Sequence, residues 1–482
     1  MKLTLLALGH SPSLALRSLA RYVKTDPTLV EVDVALVDRD IRPFLAERGS
    51  SDLVWSFSSH VDRLIQELLA SEPDVLGVSC YLWSVEISLA VAARVKALRP
   101  GTRVVAGGPD VGPRAATLLA REPALDLVVR GEGELPLAAL LGALARGDPL
   151  DAVPGLSWRH GEHIVENPRP EGRVDLRRLA GVWDPAPSRA EVEGWGWPYL
   201  LFETQRGCPY RCGYCMYGRS APNPRPLDFV DELAALMDQG HVVELCDPTF
   251  TTMQERAKQI LRALIERRRS DAGGLYIEAY ADSIDDELAR LLKAAGVVRM
   301  GVGLQTSSVR GLRAASRPEN LERFAAGVAR MRAHELHFYV DTLCGLPETT
   351  LADHVETLTF LLEHGIVTVE SYRLLGLPGS PMVEEASKHG MVFAPSPPWE
   401  LLASRDWPAA DLARANVLNE RFRALSGRMR PEVMARLARV AGGLDRLLDG
   451  LASGGPIEAQ EDAELSRRLA AIFRQERGTS VR

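Results

Sequence analysis

The sequence predicts an α/β protein with three successive parts: an N-terminal doubly wound domain, a partial (β/α)6 barrel and a helical C-terminal domain. Two observations predict this. Short, continuously apolar segments alternate with amphipathic helical segments over residues 1–148, and the same alternation begins again near residue 198. Strands buried on both faces are continuously apolar, so the alternation is typical of parallel sheets covered by helices. The predicted boundaries are 1–150 for the first domain, 151–197 for a linker, 198–392 for the barrel and 393–482 for the helical domain.

The first domain contains five apolar segments that we interpret as strands, at 3–8, 30–38, 75–80, 103–108 and 125–131. Helical segments such as "SVEISLAVAARVKALRP" lie between them, which favours a parallel sheet with helices on both faces. In the linker, "PGLSWRHGEHIVENP" predicts a short hairpin that turns at "RHGEH".

The barrel is predicted from six further apolar segments, at 199–204, 241–247, 275–281, 298–305, 337–345 and 367–375. A helical segment follows each of them, and six parallel βα units form a partial barrel or a strongly curved sheet. After the third strand, "DSIDDELARLL" predicts a helix with Ser283 as N-cap and Asp286 at N3. After about residue 395 we expect helices and no strand, closing over the barrel mouth, with "PSPPWE" (395–400) as a hinge.

The composition excludes several classes of protein. A chain of 482 residues is too long for one compact core. The net charge of −7 gives no sign of general nucleic-acid binding. The absence of a run of 18 apolar residues gives no sign of a membrane span. Six cysteines are too few for a secreted disulfide framework, so we expect a reduced, cytoplasmic protein.

Three of the six cysteines, Cys208, Cys212 and Cys215, lie within "RGCPYRCGYC" at 206–215. Thiolates at this spacing can converge on one soft metal centre, and such runs are usual for iron–sulfur clusters. Three cysteines leave one iron of a cubane cluster without a protein ligand, which is what a catalytic centre needs. The loop directly follows the first barrel strand, on the catalytic face of such a fold. Zinc would want a fourth ligand, and the nearest candidates, His241 and Cys246, lie on a predicted buried strand.

The segment "CPYRCGYC" resembles the CxxxCxxC signature of radical S-adenosylmethionine (SAM) enzymes, including the aromatic residue before the last cysteine, Tyr214. The resemblance covers about 198–390 and implies a [4Fe–4S] cluster held by the three cysteines. It also implies SAM on the open iron, cleaved to a 5′-deoxyadenosyl radical, with the Tyr214 backbone holding the adenine.

Polar residues at the ends of the next strands extend this resemblance. "CDPTF" resembles the segment that contacts the SAM amino group, through Asp247 and Thr249, although the superfamily often has Gly-Gly-Glu there. Glu278 is expected to bind the ribose hydroxyls, and Gln305 lies at the end of the next strand. Four further residues near strand ends are candidates for the substrate pocket: Tyr280, Tyr339, Tyr372 and Arg373.

The first domain has three unusual strand edges, in "GVSCYLWS" (77–84), "AGGPDVGP" (106–113) and "VVRGEGELP" (128–136). Neither GxGxxG nor a P-loop is present, which disfavours a dinucleotide or a nucleoside triphosphate. The segments resemble the cobalamin-binding domain that is fused to one large branch of radical SAM enzymes. The DxHxxG motif of cobalamin-dependent mutases is absent, so the resemblance does not imply that His10 ligates cobalt.

The resemblance implies a set of cobalamin contacts at these edges and in the first loop. The residues are His10, Ser11, Ser13, Ser79, Tyr81, Trp83, Gly107, Gly108, Pro109, Gly131, Glu132, Gly133 and Glu134.

The activity that the resemblance implies first is cobalamin-dependent methylation of an unactivated carbon in a small-molecule or natural-product intermediate. An external electron donor such as flavodoxin or ferredoxin would be its partner. Radical rearrangement, ring contraction or oxidative cyclisation without methyl transfer is an alternative, as is a non-catalytic cobalamin and iron–sulfur sensing module. Methylthio transfer is disfavoured, because it needs three additional cysteines and Cys80, Cys246 and Cys344 lie singly in predicted strands.

Overall fold

The first part of the chain folds into a seven-stranded sheet, in a computed structural model that describes residues 1–47, 59–217 and 220–452. Its strands are β1 (Lys2–Gly9), β2 (Asp33–Asp40), β3 (Val75–Ser79), β4 (Arg103–Gly107), β5 (Leu127–Val129), β6 (Leu156–His160) and β7 (His163–Glu166). Its helices are α1 (Leu14–Lys24), α2 (Arg42–Ala46), α3 (Ser59–Ala70), α4 (Val85–Leu98), α5 (Ala115–Arg121) and α6 (Glu134–Arg146). The strand order is β2-β1-β3-β4-β5-β6-β7, and the first five strands are parallel.

Alternate side chains of β1 pack on opposite faces of this sheet. Leu3 and Leu5 belong to an apolar core that includes α1 and α6, whereas Leu6 and Leu8 belong to one that includes α3, α4 and α5. Because both faces of the strand are buried, its sequence is apolar throughout. The predicted doubly wound domain is therefore confirmed.

The predicted hairpin is present as β6 and β7, with its turn after His160. It is part of the first sheet, because β6 pairs antiparallel with β5, with Leu127 opposite Trp158. Leu156 and Trp158 are buried in the core beneath α6. The apolar side of the hairpin thus extends the sheet by two strands.

A second sheet of six parallel strands forms the barrel, in the order β15-β14-β13-β12-β11-β8. Its strands are β8 (Leu200–Phe202), β11 (Val242–Leu245), β12 (Gly274–Ala279), β13 (Val297–Gln305), β14 (Phe338–Cys344) and β15 (Val369–Arg373), and β9 (Gln205–Arg206) and β10 (Asn223–Pro224) form a separate pair. The helices are α7 (Arg189–Glu193), α8 (Val230–Asp238), α9 (Gln254–Arg267), α10 (Asp286–Ala294), α11 (Val309–Ala314), α12 (Leu321–Ala333) and α13 (Leu351–Glu363). All six predicted strands are confirmed, and with them the partial barrel.

The predicted cap of α10 is wrong. Asp285, not Ser283, is the N-cap, and its carboxylate accepts a hydrogen bond from the Leu288 backbone N–H at 2.7 Å. The Ser283 hydroxyl donates to the Tyr280 carbonyl at 2.6 Å. The stretch holds three competing cap residues in a row of four, and a short 3-10 turn over Ala281–Ser283 displaces the helix start by two residues.

The C-terminal part differs in part from its prediction. It comprises α14 (Pro381–Glu384), β16 (Val392–Phe393), β17 (Leu401–Ala403), α15 (Ala409–Ser426), α16 (Pro431–Ala441) and α17 (Leu444–Ala452). A short strand therefore occurs after 395, pairing antiparallel with β16. Helices α15 to α17 pack against α13 and share its apolar core, so they extend the outer helical layer, although Leu412 and Ala415 of α15 also pack with Cys344 at the carboxyl end of β14. The predicted segment 453–482 lies outside the described residues.

The segment between β16 and β17, residues 394–400, reaches back to the first sheet. The Trp399 indole N–H donates to the Asp110 carboxylate at 2.8 Å. The Arg114 guanidinium lies 5.0 Å from the Trp399 ring centre and pairs with Asp110. We call 394–400 the strap. Of the helices described, none is both long and apolar enough to cross a bilayer.

Candidate active site

The cysteine loop begins directly after β8 and is closed at its base by β9 and β10, which pair antiparallel. Between β9 and Cys208, Gly207 has a φ of 79°, and a Cβ there would lie 2.5 Å from the Ala221 carbonyl oxygen. Only glycine fits such a backbone crossing. The Cys208 N–H donates to the Ser220 carbonyl at 3.1 Å, and the Gly213 N–H donates to the Ala315 carbonyl at 2.8 Å. The loop is thus held to the barrel by its backbone.

None of the three cysteines of the loop forms a disulfide. Cys212 is buried, and Cys208 and Cys215 are partly exposed. Burial raises the pKa of Cys208, and the nearby thiols of Cys215 and Cys212 raise it further. Among the residues described, no three His, Cys, Asp or Glu side chains converge on a single metal ion. A cubane cluster does not require that, because each thiolate binds a different iron.

Asp247, predicted to contact SAM, supports the chain leading into the loop. Its buried carboxylate accepts hydrogen bonds from the backbone N–H groups of Thr204, at 2.8 Å, and Gln205, at 3.1 Å. Burial raises the pKa of Asp247 to about 6. The Thr249 hydroxyl is 2.8 Å from that of Thr252. Both side chains therefore have protein partners, and their contact with SAM stays a prediction.

Arg317 is a candidate residue that the motifs did not identify. Its side chain is 9% exposed and donates to the Tyr214 hydroxyl of the cysteine loop at 3.2 Å. It pairs with Glu319 at 2.8 Å and lies 5.3 Å from the Tyr280 ring centre. A buried guanidinium beside the cysteine loop is suited to bind a carboxylate. In the sequence, Arg317 is marked only by the segment "SRPEN" after the fourth strand. That segment has no fixed spacing from the cysteines, so no motif identified the residue.

Gln305 lies at the end of β13, as predicted, in a left-handed conformation with φ 73°. A Cβ on Gly303 would lie 2.6 Å from the Gln305 amide nitrogen and 3.2 Å from the Arg317 guanidinium. The missing side chain at Gly303 therefore lets both polar groups lie across the inner face of β13. This places Gln305 and Arg317 together at the cysteine-loop side of the barrel.

Glu278 lies deeper in the barrel than the prediction of a ribose contact requires. Its carboxylate accepts hydrogen bonds from the hydroxyls of Tyr276, at 3.3 Å, and Tyr339, at 3.5 Å. It lies over Gly301, where a Cβ would come within 2.5 Å of it. Burial, and then the negative charge of Asp341, raises the pKa of Glu278 to about 8. At neutral pH this carboxyl is therefore largely protonated.

Asp341, on β14 beside Gly303, is a second residue that the motifs did not identify. Its Oδ1 is buried and has no hydrogen-bond partner among the described residues. Burial, and then the charge of Glu370, raises its pKa to about 7. A buried carboxylate oxygen without a hydrogen-bond partner is costly unless a bound ligand donates a hydrogen bond to it.

The four predicted substrate residues occupy different surroundings. Tyr280 stacks on Tyr210 of the cysteine loop at 4.8 Å and bonds to the Pro318 carbonyl, so it forms a wall of the loop. Tyr339 is buried. Arg373 pairs with Glu400 at 3.3 Å. Tyr372 is 51% exposed, within electrostatic range of Asp341 and Glu278, and so faces the open side of the barrel.

The carboxyl edge of the first sheet presents an aromatic surface. Tyr81 and Trp83 stack at 4.8 Å with planes 5° apart, and His10 lies 5.9 Å from Trp83. Burial raises the pKa of Tyr81 to about 12, with Cys246 of the barrel as the next contributor. Tyr217, from the cysteine loop, is 58% exposed and within electrostatic range of Tyr81.

The Trp197 backbone N–H, just before β8, donates to the His10 carbonyl at 2.6 Å. A Cβ on Gly379, after β15, would lie 2.8 Å from Pro113, after β4. The two predicted cofactor regions therefore meet at one cleft between the sheet edges.

Other predicted cobalamin residues lie at this edge of the first sheet, and some of them make contacts that stabilise the fold. The Ser13 hydroxyl caps α1 by accepting from the Leu16 N–H at 3.2 Å. Gly108 has a φ of 118°, and a Cβ there would lie 2.4 Å from the Cys80 carbonyl. The remainder lie in the loops or at the strand ends of this edge: Ser11 after β1, Ser79 ending β3, Gly107 ending β4, Pro109 after it, and Gly131 and Gly133 between β5 and α6.

Glu132 lies in the β5–α6 loop and Glu134 is the first residue of α6, and the carboxylates of both contact the barrel. Glu134 is 2.6 Å from the Arg206 guanidinium, and Glu132 is 3.4 Å from it. Arg206 lies on β9, two residues before Cys208. These pairs join the edge of the first sheet to the base of the cysteine loop.

Comparisons with known proteins agree with this architecture. The B12 binding domain model matches residues 6–141, and the radical SAM superfamily model matches residues 202–361. The chain is 31% identical to 2-(S-pantetheinyl)-carbapenam-3-carboxylate methyltransferase of Streptantibioticus cattleyicolor, over 69% of this chain and 52% of that protein. It is also 31% identical to the cobalamin-dependent radical SAM methyltransferase TokK of Streptomyces tokunonensis, over 67% and 50%. The chain thus spans about half the length of these curated relatives.

Two solved structures share the fold. The cobalamin-dependent SAM radical enzyme OxsB, with aqua-cobalamin and SAM bound, superposes with a TM-score of 0.68 at 16% identity, over 99% of this chain and 75% of that one. The methyltransferase TsrM of Kitasatospora setae, with tryptophan and a SAM analogue bound, gives 0.63 at 20% identity, over 82% and 79%.

The two family matches occur in the predicted order and on the two sheets whose edges face one cleft. The chain therefore belongs to the radical SAM enzymes that carry a B12-binding domain.

Proposed function

We propose that this protein is a cobalamin-dependent radical SAM methyltransferase that methylates an unactivated carbon of a small-molecule or natural-product intermediate. The observation that carries the proposal is the shared cleft. Glu134, at the start of α6, is 2.6 Å from Arg206 at the base of the cysteine loop. A Cβ on Gly379, after β15, would lie 2.8 Å from Pro113, after β4. A methyl donor and a radical source must reach the same carbon, so their two sites must face each other.

The donor groups of the chain fit the three cofactors. Cys208, Cys212 and Cys215 offer three thiolates to a [4Fe–4S] cluster and leave one iron for SAM. The stacked pair Tyr81 and Trp83 offers a flat aromatic surface to the corrin of cobalamin. When bound, the cluster and SAM supply a radical that removes a hydrogen atom from the substrate, and methylcobalamin supplies the methyl group that replaces it.

For SAM, we assign the carboxylate to Arg317, because its guanidinium is buried and faces the cysteine loop. Two of its nitrogens already contact Glu319 and Gly303. The contact with SAM would therefore come from the third, which now donates to the Tyr214 hydroxyl.

Asp341 and Gln305 are suited to the ribose hydroxyls, since the buried Oδ1 of Asp341 has no hydrogen-bond partner in the described protein. The predicted adenine contact of the Tyr214 backbone is part of this proposal. Glu278 is mostly protonated and is hydrogen-bonded to Tyr276 and Tyr339, so we assign it a structural role inside the barrel.

The substrate would enter on the side where Tyr372 is exposed. A carbon radical reacts with whatever lies nearby, so the cleft walls must exclude water. Among the described residues, Cys80 and Cys344 are buried and separate from the cysteine loop, which offers no second cluster for internal electron supply. We therefore propose an external donor such as flavodoxin or ferredoxin, and a reducing cytoplasmic setting for the thiols.

The test is anaerobic reconstitution with iron, sulfide and hydroxocobalamin, followed by desalting, an absorption spectrum and counts of iron and cobalt. We expect corrin bands with about one cobalt per chain, beside a cluster that is lost in Cys208→Ala. Cys344→Ala, a buried cysteine outside the loop, should retain both and is the matched control. A cluster without retained corrin would contradict the methylcobalamin proposal and leave a simpler radical enzyme.

A further inference from the structure

One guanidinium joins the two cofactor regions. Arg206 contacts three carboxylates: Glu134 at 2.6 Å, Glu203 at 2.9 Å and Glu132 at 3.4 Å. The Arg206 side chain is 14% exposed and that of Glu134 is 5% exposed, so their contact is largely shielded from water. Buried ion pairs of this kind are far less screened by salt than surface pairs.

Each end of this network is attached to a different site. Glu132 lies in the loop between β5 and α6 and Glu134 begins α6, at the edge where we place the corrin. Glu203 and Arg206 lie on either side of the turn from β8 into the cysteine loop. One residue, the closely packed Gly207, separates Arg206 from Cys208. A displacement of the β5–α6 loop therefore acts on the base of the cysteine loop through one side chain.

The positive charge of Arg206 compensates carboxylates of both the first sheet's edge and the cysteine-loop base. Three carboxylates surround one cation, and burial raises the pKa of Glu203 even with Arg206 beside it. Removing the cation would leave the carboxylates facing one another without compensation, which is costly in a shielded site. The guanidinium contacts Glu203 through two nitrogens while it reaches Glu134, and the single nitrogen of lysine cannot reproduce this geometry, so lysine is not an equivalent replacement.

We propose that Arg206 is a positioning residue that couples the two cofactor sites, so that loading the cluster strengthens cobalamin binding and cobalamin binding strengthens cluster retention. The proposal rests on the proposed function, because it requires that both cofactors bind. Such coupling is reciprocal by thermodynamic necessity. The coupling acts through the Glu134 carboxylate. Glu134 begins α6 directly after the β5–α6 loop, and its carboxylate accepts a hydrogen bond from Arg206 of β9.

The test measures the dissociation constant of hydroxocobalamin, from its absorbance, for the full chain with and without its reconstituted cluster. For the unmodified chain we expect binding ~10-fold tighter with the cluster present, within the usual range of coupling between two sites. In Arg206→Lys the ratio of the two constants should fall towards one, while hydroxocobalamin and iron are each still bound. Glu134→Gln, which keeps a hydrogen-bonding group, should reduce the same ratio and serves if Arg206→Lys does not fold.

The matched control is Asp126→Asn, which weakens the partly buried Lys96–Asp126 pair at the opposite end of the first sheet and should preserve the ratio. A ratio of one in the unmodified chain, or an undiminished ratio in both Arg206→Lys and Glu134→Gln, would overturn the coupling. Failure of the unmodified chain to bind hydroxocobalamin in either state would instead overturn the proposed function, so the two failures are distinguishable.

Discussion

Arg317 is the residue on which the geometry beside the cysteine loop most depends. Its guanidinium contacts Tyr214 of the loop, Glu319 behind it and the inner face of β13. The sequence allowed the three cysteines to be assigned, because their spacing is itself the chemical requirement. It did not allow Arg317 or Asp341 to be assigned, because a single charged residue near a strand end is equally typical of a surface ion pair.

Replacing Arg317 tests this assignment directly. In Arg317→Gln the reconstituted protein should bind SAM ~10- to 100-fold more weakly, because a charge-assisted hydrogen bond contributes ~1.5–3 kcal/mol. Equilibrium binding of SAM to cluster-loaded protein measures it. Arg313→Gln, an exposed arginine four residues earlier on α11, is the control and should bind SAM normally. Unchanged SAM affinity in Arg317→Gln, with the cluster intact, would remove Arg317 from the site.

At the scale of elements, the strands were predictable and the connections were less so. All six barrel strands coincide with predicted segments, and the inner strands are mainly apolar because both of their faces are buried, whereas the edge strand β15 is mostly polar. The start of α10 was not predictable, since Ser283, Asp285 and Asp286 all suit a cap and tertiary contacts of Ser283 decide among them. The boundaries at 150, 197 and 392 stay predictions.

The β9–β10 pair gives a prediction at this scale. In Gly207→Ala the added Cβ would meet the Ala221 carbonyl at 2.5 Å, and the positive φ would be strained at a cost of ~1–3 kcal/mol. We expect the two strands to move apart and iron retention after reconstitution to fall, with the far-ultraviolet circular dichroism unchanged. Gly101→Ala is the control, because a Cβ there meets nothing within 4 Å. Full iron retention in Gly207→Ala would show that the close crossing is not needed.

Over the whole molecule, contacts between distant segments define the cleft, and no sequence pattern specifies them. Arg206 pairs with residues of the first sheet 72 and 74 positions away, and Trp399 of the strap bonds to Asp110 across 289 positions. Pairings between residues so far apart in the sequence depend on how the two sheets pack together. Local hydrophobic periodicity carries no information about that packing. The fold was therefore accessible from sequence while the arrangement of the cleft was not.

The strap contact can be tested by hydrogen exchange. Trp399→Phe keeps an aromatic ring against Arg114 but removes the N–H donor to Asp110. We expect backbone amides of 394–400 and 107–114 to exchange several-fold faster, because one buried hydrogen bond contributes ~1 kcal/mol. Leu402→Ala, at an exposed side chain of β17, should leave both segments unchanged. Equal exchange in Trp399→Phe would mean that the ring alone secures the strap.

The strap also affects how the protein is made. When Asp110 is synthesised, its partner Trp399 lies 289 residues further along the chain and has not yet been made. At the usual rate of ~5–20 residues per second, ~15–60 seconds separate the two. During that interval the first sheet can complete its core while its carboxyl edge has no strap across it. The nascent chain therefore presents the carboxyl edge of the first sheet before Trp399 can bond to Asp110, and, on our proposal, cobalamin could reach that edge during translation.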